Sequence, residues 1–180
     1  MKNAALLVVL LFVLFGCNNS EKKPPKEELS KPLVFRDSLL YADSTTTVPF
    51  TGRYKSKAMG QYIEFEVKDG KKNGEFLVFY PNKTLQVSGT VKNDDNVGEW
   101  KYYRADGSLE SKGFFEAGTA NGKWTWYRED GKLYEEGFLV NGQKDGEWKV
   151  YKDSNVVWLL LKFKKDVLVD SIDMSKKKLK

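Results

Sequence analysis

Histidine is absent from the 180-residue chain and cysteine occurs once. The side chain that titrates near neutral pH and the usual nitrogen and sulfur ligands for zinc are therefore missing. Zinc sites and Ser/His or Cys/His catalysis are excluded on these grounds, so the chain is expected to be non-catalytic, with no metal and no cofactor. Paired acids exist, as at Asp94-Asp95, but they sit in the run KNDDNVG. Asp and Asn are common there because they tolerate turn geometry, so both read as turn residues. Charge of one sign is also lacking. Lysines and arginines number 30 and acids 25, and they alternate along the chain. Such mixing leaves no single-sign stripe for nucleic acid, which is not expected as a partner. What the chain does have is 14% aromatic residues within a 41% hydrophobic total, enough for one folded domain plus extensions.

The only long apolar run lies at the start, from Ala4 to Phe15, behind a single positive charge at Lys2. Twelve residues are too few to cross a bilayer as a helix, which takes about 20, but they suit the apolar centre of a secretory signal. Leu14-Phe15-Gly16-Cys17 resembles the bacterial lipoprotein signal, in which the cysteine becomes the acylated first residue of the mature chain. That resemblance implies a signal helix over 1–16 and lipidation at Cys17. It also implies a chain that sits on the cell envelope, lipid-anchored to a bacterial membrane, the outer one in a Gram-negative cell. The bland alternative is an incidental cysteine behind an ordinary signal. Without Lys2 the balance is 29 basic against 25 acidic residues, or +4. Residues 18–32, NNSEKKPPKEELSKP, are polar and proline-bearing, which predicts a flexible spacer over 17–32.

From there the chain repeats itself. Gly74, Gly98, Gly122 and Gly146 stand 24 residues apart without an insertion. Two places after each glycine come Phe76, Trp100, Trp124 and Trp148; five places after it come Phe79, Tyr103, Tyr127 and Tyr151. Fifteen places after it, Gly89, Gly113 and Gly137 recur, and Leu161 breaks the column. A fixed period of this size marks a repeat architecture. Within a unit, an aromatic run such as KWTWYR ends at Asp-Gly, and an alternating run follows that ends at Asn-Gly, which reads as one hairpin per unit. The fold class is therefore all-β: an open, single-layer antiparallel sheet over 33–170, with units near 50–73, 74–97, 98–121, 122–145 and 146–169 and a basic tail over 171–180. Side chains alternate faces, so Trp100 and Tyr102 point one way and Tyr103 the other. The mid-strand glycines mark places where a neighbouring ring lies on the backbone or a bulge turns the sheet. The last unit is irregular, with Asn155 in place of the turn glycine and the run VVWLLL from Val156. That run reads as a capping strand buried on the preceding hairpin, with a partner surface as its alternative.

The unit Gly-x-Trp-x-x-Tyr, Asp-Gly-x-Leu, Gly-Phe, Asn-Gly, as written between Gly122 and Gly146, resembles the MORN repeat, in the variant found in YwqK-type antitoxins. The resemblance covers about 49–166 and implies a stack of hairpins. Two functions follow as expectations. One is a binding module that holds a protein or glycan on an aromatic face, with Tyr102, Tyr103, Trp126 and Tyr127 as candidate contacts unless those rings pack on one another. The other, implied by the antitoxin label, is an immunity protein that occludes a toxin. The structural columns are Gly74, Gly98, Gly122 and Gly146 with Trp100, Trp124 and Trp148.

Overall fold

The computed structural model describes residues 29–153 and 156–176. The signal segment, Cys17 and most of the spacer lie outside the described residues, as does 177–180. A small hairpin comes first, β1 (Val34–Arg36) and β2 (Leu39–Tyr41). Eleven strands then follow in chain order: β3 (Gly52–Ala58), β4 (Gln61–Lys68), β5 (Lys71–Phe79), β6 (Leu85–Lys92), β7 (Asp95–Tyr103), β8 (Leu109–Glu116), β9 (Thr119–Tyr127), β10 (Leu133–Val140), β11 (Gln143–Asp153), β12 (Val156–Lys164) and β13 (Val167–Asp173). Each strand pairs antiparallel with its sequence neighbours, giving one open sheet from β3 at one edge to β13 at the other. Ten inter-strand steps of about 4.8 Å make it about 48 Å long.

The period has a mechanical origin. At one rim, two-residue turns with positive φ at both positions (Asp69-Gly70, Asn93-Asp94, Ala117-Gly118, Asn141-Gly142) connect successive hairpins. This geometry matches the right-handed strand twist. The turn amides of Asp94, Gly118, Gly142 and Asp166 then donate to the carbonyls of Lys72, Asn96, Ala120 and Lys144, at 2.8–3.0 Å, so each turn hangs on its predecessor. At the other rim Asp106 and Asp130 fold their carboxylates back on the amides of Ser108 and Lys132. Those bonds hold both carboxyls below their ordinary pKa. The glycines Gly74, Gly98, Gly122 and Gly146 all have positive φ and lie where the register slips between one hairpin and the next. They are bulge residues that turn the sheet.

Two boundaries differ from expectation. The sheet continues past 170 to Asp173, because Leu160 and Leu159 pair with Ile172 and Asp173; a short 3-10 turn over 174–176 ends the described chain. The VVWLLL run is not a buried cap. It lies in β12, a further strand pairs outside it, and Val156 and Trp158 remain exposed. Part of the expected spacer is docked as well: the Ser30 amide donates to the Lys55 carbonyl at 2.8 Å, and the Lys55 amide donates to Ser30 Oγ at 3.0 Å.

Candidate binding surface

With a single layer, the core must be made on the sheet's own faces. One face carries a continuous ladder of rings: Tyr54, Phe65, Phe76, Trp100, Phe115, Trp124, Trp126, Trp148 and Phe163, with successive centroids 5.1–6.2 Å apart. Such separations suit offset and edge-to-face aromatic contacts. The tryptophans are seated on glycine. A Cβ built on Gly89, Gly113 or Gly137 would lie 2.0–2.2 Å from Cδ2 of Trp100, Trp124 or Trp148, respectively. Only a residue without a side chain fits beneath an indole at that distance. All three indoles are buried, and their N–H groups have no hydrogen-bond partner among the described residues. Near the β13 end, Lys144 lays its ammonium 4.0 Å from the Trp148 ring centre and 2.7 Å from Glu135 Oε1, closing the ladder there with a cation–π contact and an ion pair.

Tyr102 and Trp126 belong to this face. Tyr102 stacks on Trp124 at 6.1 Å, and burial pushes its phenol pKa up. Trp126 lies between Trp124 and Trp148. Both are half-buried. Tyr103 and Tyr127 point to the opposite face and are also half-buried. Their carbonyls are anchored by the preceding unit: Tyr80 Oη donates to the Tyr103 carbonyl, Arg104 Nη2 to that of Tyr127, and Arg128 Nη2 to that of Tyr151. Sequence reasoning missed these staples. Their signal was the column Tyr80, Arg104, Arg128, one residue beyond the aromatic run in each unit.

The opposite face is built differently. Behind each seated tryptophan it carries a shallow hollow, floored by Gly89, Gly113 and Gly137 in turn. The walls come from the same columns in every unit. Ser88, Lys112 and Glu136 stand on one side of the glycine and Thr90, Phe114 and Phe138 on the other; Lys101, Thr125 and Lys149 come from the next strand. Cavity volumes are about 290, 270 and 540 Å³, so the hollow at Gly137 is the widest. Phe114 and Phe138 are 46% and 55% exposed, the most open rings of the repeats, ahead of Tyr134 and Trp158 at 43% each. The charged walls are paired laterally: Glu99 with Lys101 and Lys112 at 3.2 and 3.5 Å, Lys123 with Glu136 at 2.8 Å. Burial alone would raise the Glu136 carboxyl, but Lys123 and the Tyr151 hydroxyl outweigh it and hold the pKa below its usual value. The row is thus close to neutral, apolar at its rims, and regular. Two strands per unit place the hollows about 9.6 Å apart.

Residues 72–93, 96–117 and 120–141 each match the MORN repeat variant. Three tandem hairpins thus match the repeat variant. The matched segments coincide with the β5–β6, β7–β8 and β9–β10 hairpins, and the hollows fall on the same units. No curated protein matches the chain. MORN repeats suggest a repeat-based binding module, and the hairpin β11–β12 extends the array beyond the three matched segments. Among the described residues no group of three or more His, Cys, Asp or Glu is placed to hold a metal ion. No helix among them is long and apolar enough to cross a membrane.

Proposed function

We propose that this chain is a non-catalytic MORN-repeat module, tethered to the cell envelope through Cys17, that binds a protein or glycan along its row of hollows. One observation carries the reading: the hollows at Gly89, Gly113 and Gly137 recur at one pitch on one face, and two of them are rimmed by exposed phenylalanines. Repeat sheets present long, regular surfaces of this kind, and a partner that spans several units gains from each. The ring face serves the fold, because Tyr102 and Trp126 are engaged with other rings. Tyr127 contributes from the hollow side, where it lines the hollow at Gly113. A toxin is one kind of protein partner this surface could occlude; the YwqK-type resemblance supports that identity.

The test compares a double variant with the unaltered full chain in a pull-down from envelope extracts. Phe114→Ala/Phe138→Ala should reduce partner capture at least tenfold, the scale of a lost interface anchor, while circular dichroism and the melting temperature stay near wild type. Retention of every partner by that variant sinks the reading. The tether is tested separately, since Cys17→Ser should release the chain from membranes, and persistent attachment would refute it.

A further inference from the structure

The two edges of the sheet are finished differently. At β3 the outer strand carries Arg53, Lys55 and Lys57, and Ser30 occupies the Lys55 amide and carbonyl. Charge and a covering segment are two of the devices that keep an edge from pairing. At β13 no segment covers the strand among the described residues, and its charge is confined to Asp170 and Asp173. Val167, Leu168, Val169 and Ile172 are 63%, 52%, 53% and 44% exposed, on a strand whose outer backbone groups have no neighbour in the sheet. Repeat arrays normally present a polar outer face at their ends; this one presents an apolar strand.

We infer that β13 is where a second copy of this chain pairs, edge to edge, as an antiparallel twofold dimer. Three observations fix the occupant. Every pairing in the sheet is antiparallel, so the next strand must run against β13, and a twofold copy of β13 does so. The β3 edge of another copy is already engaged by Ser30, which rules out head-to-tail chains and leaves an isologous contact that closes at two. The charges also select a register. Centring the pair on Val169 keeps Asp166, Asp170 and Asp173 from facing one another and sets Lys165 opposite Asp173 at both ends. Like charges directly opposite are unfavourable in a sheet and opposite charges favourable. The product is a sheet of 22 strands, twice the 11 of one chain, with both rows of hollows joined.

The experiment uses the full-length chain carrying Cys17→Ser, released from membranes, so that the only thiol is an introduced one. In the inferred register Val169, the residue that bulges out of the pairing with β12, lies on the dyad, and facing Cα atoms of antiparallel strands are about 4.5–5.5 Å apart, within disulfide reach. Val169→Cys should run as a covalent dimer after mild oxidation, and Lys55→Cys on β3 should not. Two differently tagged copies expressed together should co-purify, and Val167→Lys/Val169→Lys should reduce that at least tenfold, its circular dichroism unchanged. Absence of co-purification for the unaltered copies overturns the inference. So does cross-linking through Lys55→Cys as efficient as through Val169→Cys. Neither result bears on the hollows, which lie on other strands.

Discussion

The middle of the sheet and its two ends solve the same packing problem with different residues. In the middle, Trp100, Trp124 and Trp148 each lie on a glycine of the preceding unit, at Gly89, Gly113 and Gly137. One unit earlier, the same two columns hold Phe65 and Phe76, stacked at 5.9 Å with an interplanar angle of 14°. One unit later the sequence count reaches Leu161 and Ile172, but the register differs there and Leu161 faces Ser171. Wherever the tryptophan is missing, the glycine is missing too. The two columns are thus one device: a large ring on one strand requires the removal of a side chain on its neighbour, and a medium side chain on both strands is the other stable solution. Two residues that look like separate repeat signatures share a single steric constraint.

The strongest way to break the comparison is to fill a seat. Gly113→Val would force its side chain into Trp124 Cδ2, where even a Cβ lies at 2.0 Å, and should cost about 3 kcal/mol or more. The check is urea unfolding against Gly131→Ala, which has open space around it and should cost only about 1–2 kcal/mol for its left-handed backbone. A rescue sharpens the point. Gly89→Phe should be severely destabilising alone, but Gly89→Phe with Trp100→Phe recreates the Phe65–Phe76 arrangement. A double-mutant cycle should return at least about 1 kcal/mol of favourable coupling. Additive losses would show that the two columns are independent.

How much of this was legible follows from the same pairing. The 24-residue period, the hairpins and the all-β sheet were readable because turn dipeptides and aromatic runs are local signals. The use of Gly113 as a seat was half readable: the column was visible, but a ring on the backbone and a bulge were equally consistent with it. The split between faces was readable for Trp100, Tyr102 and Tyr103, because alternation is strict within a strand. That the hollows, and not the ring columns, are the open surface was not readable, since exposure of Phe114 over Trp126 depends on what packs above each face. Strand β13 escaped notice because Val167–Asp173 carries no aromatic residue and no turn glycine. Its place in the sheet comes from pairing with Leu159–Lys164.

Next in size are the staples, which join units in the middle and have no counterpart at the last one among the described residues. Arg128→Met removes the donor to the Tyr151 carbonyl, a bond from a charged group, and should cost about 1.5–3 kcal/mol in urea unfolding. Tyr151 itself gives a pH signature. Burial, and then its 2.9 Å hydrogen bond to Glu136, push its phenol pKa up to about 12. A phenol whose pKa is raised on folding gives stability that is complete below the unfolded value of about 10 and is lost as pH rises toward 12. Wild-type stability should therefore fall across that window, and Tyr151→Phe should flatten the fall.

The smallest effect is expected at the end of the array, and it discriminates best between a steric device and a conserved pattern. Leu161→Gly would restore the repeat column to its usual residue. If glycine were favourable there for its own sake, for example by allowing the sheet to turn, the change should be neutral or stabilising. If glycine serves only as a seat, nothing is gained, because residue 161 faces Ser171 and no indole descends on it. Leu161 is half-buried opposite Trp148, so the variant should lose its apolar contact and backbone rigidity together, about 1–2 kcal/mol by thermal or urea unfolding. Adding Ser171→Trp to Leu161→Gly should then recover part of that loss, because residue 171 faces residue 161 and the glycine would again have a ring to receive. The same tryptophan beside Leu161 should instead destabilise the edge. The sign of the Ser171→Trp effect in the two backgrounds thus reports whether the Gly–Trp pair can be transplanted to a position where the chain has neither.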